Sequence, residues 1–99
     1  MSEPSRDDVN RMVGPTVVEF GASWCGHCQA TRATVKSLRE KHPDIRYIQV
    51  EDGPGRPLGR SFHVKLWPTF VFLRDGKVIK HLVRPSANEL VDAFEAEGK

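Results

Sequence analysis

Thr16-Val17-Val18-Glu19-Phe20-Gly21-Ala22-Ser23-Trp24-Cys25-Gly26-His27-Cys28 is the stretch on which the fold of this 99-residue chain turns. Residues 16–20 are β-branched or aromatic apart from one carboxylate, the composition of a buried strand. Gly21 to Trp24 leads out of it. From Cys28 to Lys41 there is neither Gly nor Pro, and Cys28, Thr31, Val35 and Leu38 recur at helical spacing. A helix is therefore expected over 28–41, with Pro43 marking the stop just beyond. A strand, a turn and a helix meet at two cysteines.

Outward from this junction the elements alternate. Upstream, Ser5 with Asp8 three residues later forms a capping signal, Val9, Met12 and Val13 share one helical face, and Gly14-Pro15 ends that short helix. Downstream, residues 45–50 alternate as a second strand, Gly53-Pro54-Gly55 is a loop, and Pro57 opens a short helix to about Phe62. Residues 69–73 form a third strand. Asp75-Gly76 is a two-residue hairpin turn into a fourth strand over 77–83. Ser86-Ala87-Asn88-Glu89 is a capping box, followed by a helix with Leu90, Val91 and Phe94 on its apolar side. The expected fold class is α/β: a mixed four-stranded sheet, its first two strands parallel through a helical crossover, flanked by helices on both faces. There is no internal repeat, and the expected organisation is a single domain over residues 1–99.

The spacing of the two cysteines carries the chemistry. Cys25 lies where the helix begins, so the positive end of the helix dipole and unpaired N–H groups favour its thiolate, and only a thiolate attacks a disulfide. Cys28 lies one turn further in, on the same face, able to close a ring with Cys25 but shielded from outside attack. An attacking thiol and a resolving thiol result. Two inert packed cysteines, or half of a metal site, are the competing readings. A closed zinc site needs two more ligands, and His27, His42, His63 and His81 are far apart in sequence. No metal and no cofactor are expected.

Composition narrows the rest. Two cysteines are too few for a disulfide-stapled secreted fold. An apolar fraction of 38% and a charged fraction of 28% are those of an ordinary globular chain. A net charge of +2 with interspersed signs argues against a nucleic-acid or membrane surface as the main target. No apolar run is long enough to span a bilayer. The polar first ten residues lack the apolar stretch of a secretory signal, so the expected location is cytoplasmic.

With these residues in place, the sequence resembles the thioredoxin family. Residues 18–28 match that family's active-site strand and turn, Trp67-Pro68-Thr69-Phe70 its proline-threonine segment, and Asp75-Gly76-Lys77 its hairpin. The resemblance runs from about Gly14 to the C-terminal helix. It implies a thioredoxin fold that lacks the first strand of full-length members, and a thiol–disulfide oxidoreductase with Cys25 as nucleophile and Cys28 as resolving thiol. The implied partners are disulfide-containing protein substrates and a reductase or small-thiol electron donor, with no nucleic acid, no membrane and a monomeric state.

The resemblance also assigns roles around the pair. His27 stands where thioredoxins typically have Pro, as in protein disulfide isomerases, and implies a hydrogen bond or positive charge at the Cys25 thiolate. The implied poise lies between about −270 mV for thioredoxin and about −180 mV for the isomerase. Glu19 stands where the family usually has a buried Asp that takes the proton of the resolving thiol. Pro68 matches the family's cis-proline, so the backbone at Trp67 would pair with an extended substrate strand. Trp24, Gly26, Trp67 and Thr69 complete the implied substrate surface. The departures are also specific. Ala33 replaces a helix-kinking proline, Tyr47 falls where a buried Lys often tunes the carboxyl, and Val83-Arg84-Pro85 replaces a loop with a glycine for substrate approach. The altered loop and Trp67 support a second reading, an interaction module with little turnover. A third is metal binding by Cys25 and Cys28 with a partner's ligands. His42, His63 and His81 are expected at the solvated surface.

Overall fold

The computed structural model describes residues 3–22 and 25–98. The elements are α1 (Arg6–Asn10), β1 (Pro15–Gly21), α2 (Gly26–Lys41), β2 (Arg46–Glu51), α3 (Pro57–Ser61), β3 (Thr69–Arg74), β4 (Lys77–Val83) and α4 (Ala87–Glu97). All eight expected elements are present among the described residues, and the four strands form one sheet in the order β2-β1-β3-β4. β1 and β2 run parallel, with Glu19 opposite Gln49. β1–β3 and β3–β4 are antiparallel, with a register irregularity between Phe72 and Leu73. The parallel pair forces the long crossover through α2, and that crossover carries the cysteines.

Alternation along the two central strands divides the core. Val17, Phe70 and Phe72 face α2 and α4, where they meet Val35, Leu38, Leu90 and Phe94. Val18, Phe20, Val71 and Leu73 face α1 and α3, where they meet Val9, Leu58 and Phe62. β1 and β3 are therefore buried on both faces, as their near-continuous apolar runs require. Both expected capping boxes are formed, at Ser5 with Asp8 and at Ser86 with Glu89.

Differences from the sequence reading are local. α2 begins at Gly26 rather than Cys28, with Cys25 as its N-cap, because the first turn is stabilised by the Cys25 sulfur and glycine is no helix signal in itself. Without a proline at Ala33, α2 is one uninterrupted helix of 16 residues. Ile45 precedes β2 instead of opening it, yet is buried. His42 is not a solvated side chain: it is half-buried, its ring centroid 6.0 Å from that of Phe94. His63 and His81 are exposed.

Candidate active site

The central strand β1 delivers Glu19 and Gly21, the N-terminus of α2 delivers Cys25 and Cys28, and the segment before β3 delivers Trp67 and Pro68. Cys25 is held by its own N–H, which donates to the Ala22 carbonyl at 3.1 Å, and its sulfur accepts from the Cys28 N–H at 3.3 Å. Both thiols are unbridged. The expected shielding does not separate them, since Cys25 is 6% and Cys28 3% exposed. Hydrogen bonding separates them instead. Burial pushes the Cys25 thiol up. Hydrogen bonds from the Cys28 side chain and from the N–H groups of Cys28 and His27, together with the charge of Arg84, outweigh it and bring Cys25 below an ordinary thiol. Cys28 moves the other way: burial, its donation to Cys25 and the nearby charges of Cys25 and Glu19 push it up to about 11.

His27 enters this site through its backbone. Its side chain is exposed, and among the described residues its ring makes no hydrogen bond to Cys25; the donor is its N–H in the first turn of α2. Gly26 is exposed, with open space where a Cβ would stand. Gly21, by contrast, is there for close approach: a Cβ on it would lie 2.8 Å from Cys28 Sγ. The sequence reading treated Gly21 only as a strand exit.

Glu19 is not at a solvent-facing edge. It is 6% exposed in the middle of the sheet and accepts a hydrogen bond from the Tyr47 hydroxyl. Burial raises its pKa; the Tyr47 hydrogen bond and the charges of Arg32 and Arg39 oppose that without cancelling it. Tyr47 is itself pushed far above the usual phenol range by burial and the Glu19 charge, so it stays protonated and donates. The Arg39 guanidinium lies 4.4 Å over the Tyr47 ring. Glu19 borders two clefts. One, of about 300 Å³, also touches Gly21 and Cys28; the other, of about 600 Å³, opens between Arg32, Arg39 and Gln49. The carboxylate shares the smaller cleft with the resolving thiol and also borders the larger one.

On the other side of the pair the Trp67–Pro68 peptide bond is cis. The Trp67 carbonyl lies 3.9 Å from Cys25 Sγ, and its ring packs against Ala22, Cys25 and Cys28. Its indole N–H donates to Asp52 at 2.9 Å. Asp52 has room only because residue 59 is glycine, where a Cβ would come within 2.2 Å of the carboxylate. No signal in the sequence pointed to Asp52. Pro68 and Thr69 are buried, and the Thr69 hydroxyl donates to the Leu66 carbonyl at 2.6 Å, so Thr69 braces the loop from within instead of offering its side chain at the surface. Trp24 lies outside the described residues. The described residues hold no group of three or more metal-ligating side chains, and none of their helices is long and apolar enough to cross a membrane.

A dithiol at a strand-to-helix junction, one sulfur low and one high, with a carboxyl behind it and a cis-proline segment in front, is the site of a thiol–disulfide oxidoreductase. The thioredoxin family model matches residues 3–96, and the chain belongs to the thioredoxin family. It is 36% identical over 84 residues to thioredoxin Asp f 28 of Aspergillus fumigatus, covering 84% of this chain and 78% of that protein. Thioredoxin F1, chloroplastic, of Arabidopsis thaliana is 32% identical over 80% of this chain, which spans only 45% of that relative. Among solved structures, thioredoxin 2 from Pseudomonas aeruginosa PAO1 in its reduced form superposes with a TM-score of 0.85 at 54% identity, covering 99% of this chain and 93% of that one.

Proposed function

We propose that the chain reduces disulfides of protein substrates, with Cys25 attacking, Cys28 resolving and Glu19 taking the proton that Cys28 releases. The observation that carries this is geometric: Cys25 Sγ caps α2 and accepts from the Cys28 N–H at 3.3 Å, which favours its thiolate, while Cys28 lies one turn in and shares a cleft with Glu19. The Cys25 thiolate attacks one substrate sulfur and the other leaves as a thiolate, giving a mixed disulfide. Cys28 then gives its proton to Glu19 and attacks Cys25 Sγ. The substrate sulfur bonded to Cys25 leaves with the electron pair and the Cys25–Cys28 disulfide forms. A raised carboxyl pKa makes Glu19 a stronger base than an exposed carboxylate, and the wider cleft lets its proton exit to water.

Gly26 and Trp67, backed by the buried Pro68, form the surface on which an extended substrate strand would lie, paired through the Trp67 backbone. A reductase or a small thiol restores the dithiol. His27, between the two cysteines, gives an isomerase-like sequence, and its backbone N–H, absent from a proline there, sets a potential between those of thioredoxin and the isomerase. A monomer in a reducing, cytoplasmic setting fits a chain whose two cysteines are both committed to exchange.

Trapping tests the assignment. Cys28→Ser should accumulate mixed disulfides with substrate proteins on non-reducing gels, and Cys25→Ser should accumulate none. The reverse pattern would exchange the two roles. Failure of the parent chain to reduce insulin in the presence of dithiothreitol would favour a binding module instead.

A further inference from the structure

The loop after β4 sets an arginine at the mouth of the redox pair. Arg84 has φ 48°, in the left-handed region where a glycine sits at least cost. Its backbone N–H donates to the Pro68 carbonyl at 2.9 Å, and its Nε donates to the Trp67 carbonyl at 2.9 Å. That same carbonyl is the one 3.9 Å from Cys25 Sγ. One oxygen thus joins the guanidinium to the attacking sulfur, and one residue pins both ends of the segment on which a substrate strand would lie. Arg84 is exposed, and among the described residues its Nη groups make no hydrogen bond and no ion pair.

We propose that Arg84 is a specificity determinant: its free Nη face binds a substrate carboxylate beside the disulfide under attack, so that acid-flanked disulfides are the preferred protein substrates. This rests on the proposed function and names its substrate class. The Nε bond fixes the plane of the guanidinium before substrate arrives, leaving a fork whose geometry matches a carboxylate. Without Arg84, a carboxylate at this place would meet the Cys25 thiolate and be repelled; with it, the two negative charges share one cation. Asp52, which accepts from the Trp67 indole N–H, lines a separate cleft with Arg60 and Lys65.

The test uses the full chain and disulfide peptides that differ only in Asp, Asn or Lys beside the attacked cysteine. At low salt kcat/KM should favour Asp over Asn by about two- to fivefold, the range of an exposed ion pair, with Lys below Asn and the difference mainly in KM. At about 1 M salt, where screening acts within about 3 Å, the preference should shrink. Arg84→Gly, which suits the backbone there, and Arg84→Gln should each bring the Asp/Asn ratio to one or below. Lys77→Gln, at the opposite end of β4, should leave it as in the parent. A parent chain that does not distinguish the three peptides overturns the proposal. So does an Arg84→Gly chain that keeps the preference, which would move it to the cleft at Arg60. Reduction of the Asn peptide by Cys25→Ser would instead overturn the underlying redox assignment, whatever the ratio.

Discussion

Glu19 and Tyr47 show how a buried carboxyl and a hydroxyl on the neighbouring strand can compensate each other. A carboxyl in the middle of a sheet is costly to ionise, and here burial is the dominant cause of its raised pKa. The Tyr47 hydroxyl, donating to Glu19 from the neighbouring strand, offsets part of that cost without adding a second buried charge. Tyr47→Phe should therefore raise the Glu19 pKa further. A hydrogen bond to a charged group contributes about 1.5–3 kcal/mol, which is about one to two pH units. The acid limb of the pH profile for mixed-disulfide resolution should move upward by that amount, read by stopped-flow single turnover; an unmoved limb would show that Tyr47 only packs. At His27 the structure separates ring from backbone. His27→Ala keeps the N–H that donates to Cys25 and should leave the redox potential near the parent's. His27→Pro removes that N–H and should lower the potential by about 30–60 mV, since about 30 mV corresponds to 1.4 kcal/mol. Equilibration of both variants against glutathione decides between them, and equal shifts would return the role to the imidazole.

At the scale of elements, the site exists because β1 ends beside the start of α2. Cys25 caps the helix with its own sulfur, so the interaction that begins the helix is also the one that favours the thiolate. Cys28, one turn on, points back at the strand exit, where only a glycine leaves space. Gly21→Ala sets a Cβ 2.8 Å from Cys28 Sγ, closer than any real contact, so the thiol or the strand must shift. Resolution should slow by about tenfold to 10²-fold, the cost of displacing a reacting atom by about 1 Å. Overpacking should also lower stability by about 1–3 kcal/mol. Decay of a preformed mixed disulfide measures the first effect and urea melting the second. Normal decay with lowered stability would mean that the strand moved and the thiol did not.

For the whole molecule the buried carboxyls set the pH dependence of stability. Glu19 and Glu97 both have raised pKa values, burial being the main cause in each, partly opposed by Arg32 and Arg39 at Glu19 and by Arg74 at Glu97. A group that binds its proton more tightly in the folded chain stabilises fully below its ordinary value of 4.5, and that contribution is lost as pH rises through the folded value. Glu19→Gln lacks this loss, and its amide oxygen can still accept from Tyr47. It should therefore raise Tm at pH 7–8, with the gain shrinking toward pH 4.5. In a chain of this size each kcal/mol appears as about 4–8 °C. A gain that does not vary with pH in calorimetry would mean that packing, not ionisation, sets the difference.

The sequence by itself determined the order of elements, both capping boxes, the hairpin at Asp75-Gly76 and the junction that holds the dithiol. Each of these is encoded locally, by periodicity, a side chain three residues from its partner, or a turn dipeptide. The resemblance to a known family added the expectation that Glu19 accepts a proton and the cis bond at Pro68, which the structure has. Tertiary structure decided what depends on residues distant along the chain: that Tyr47 reaches Glu19, that Asp52 holds the Trp67 indole over the space at Gly59, and that Arg84 closes on the Trp67 carbonyl beside Cys25. It also showed that the two thiols differ in the donors they face rather than in their exposure. No pattern within a window of sequence records these pairings, because each is made by register across the sheet and by the packing of a loop against a helix end.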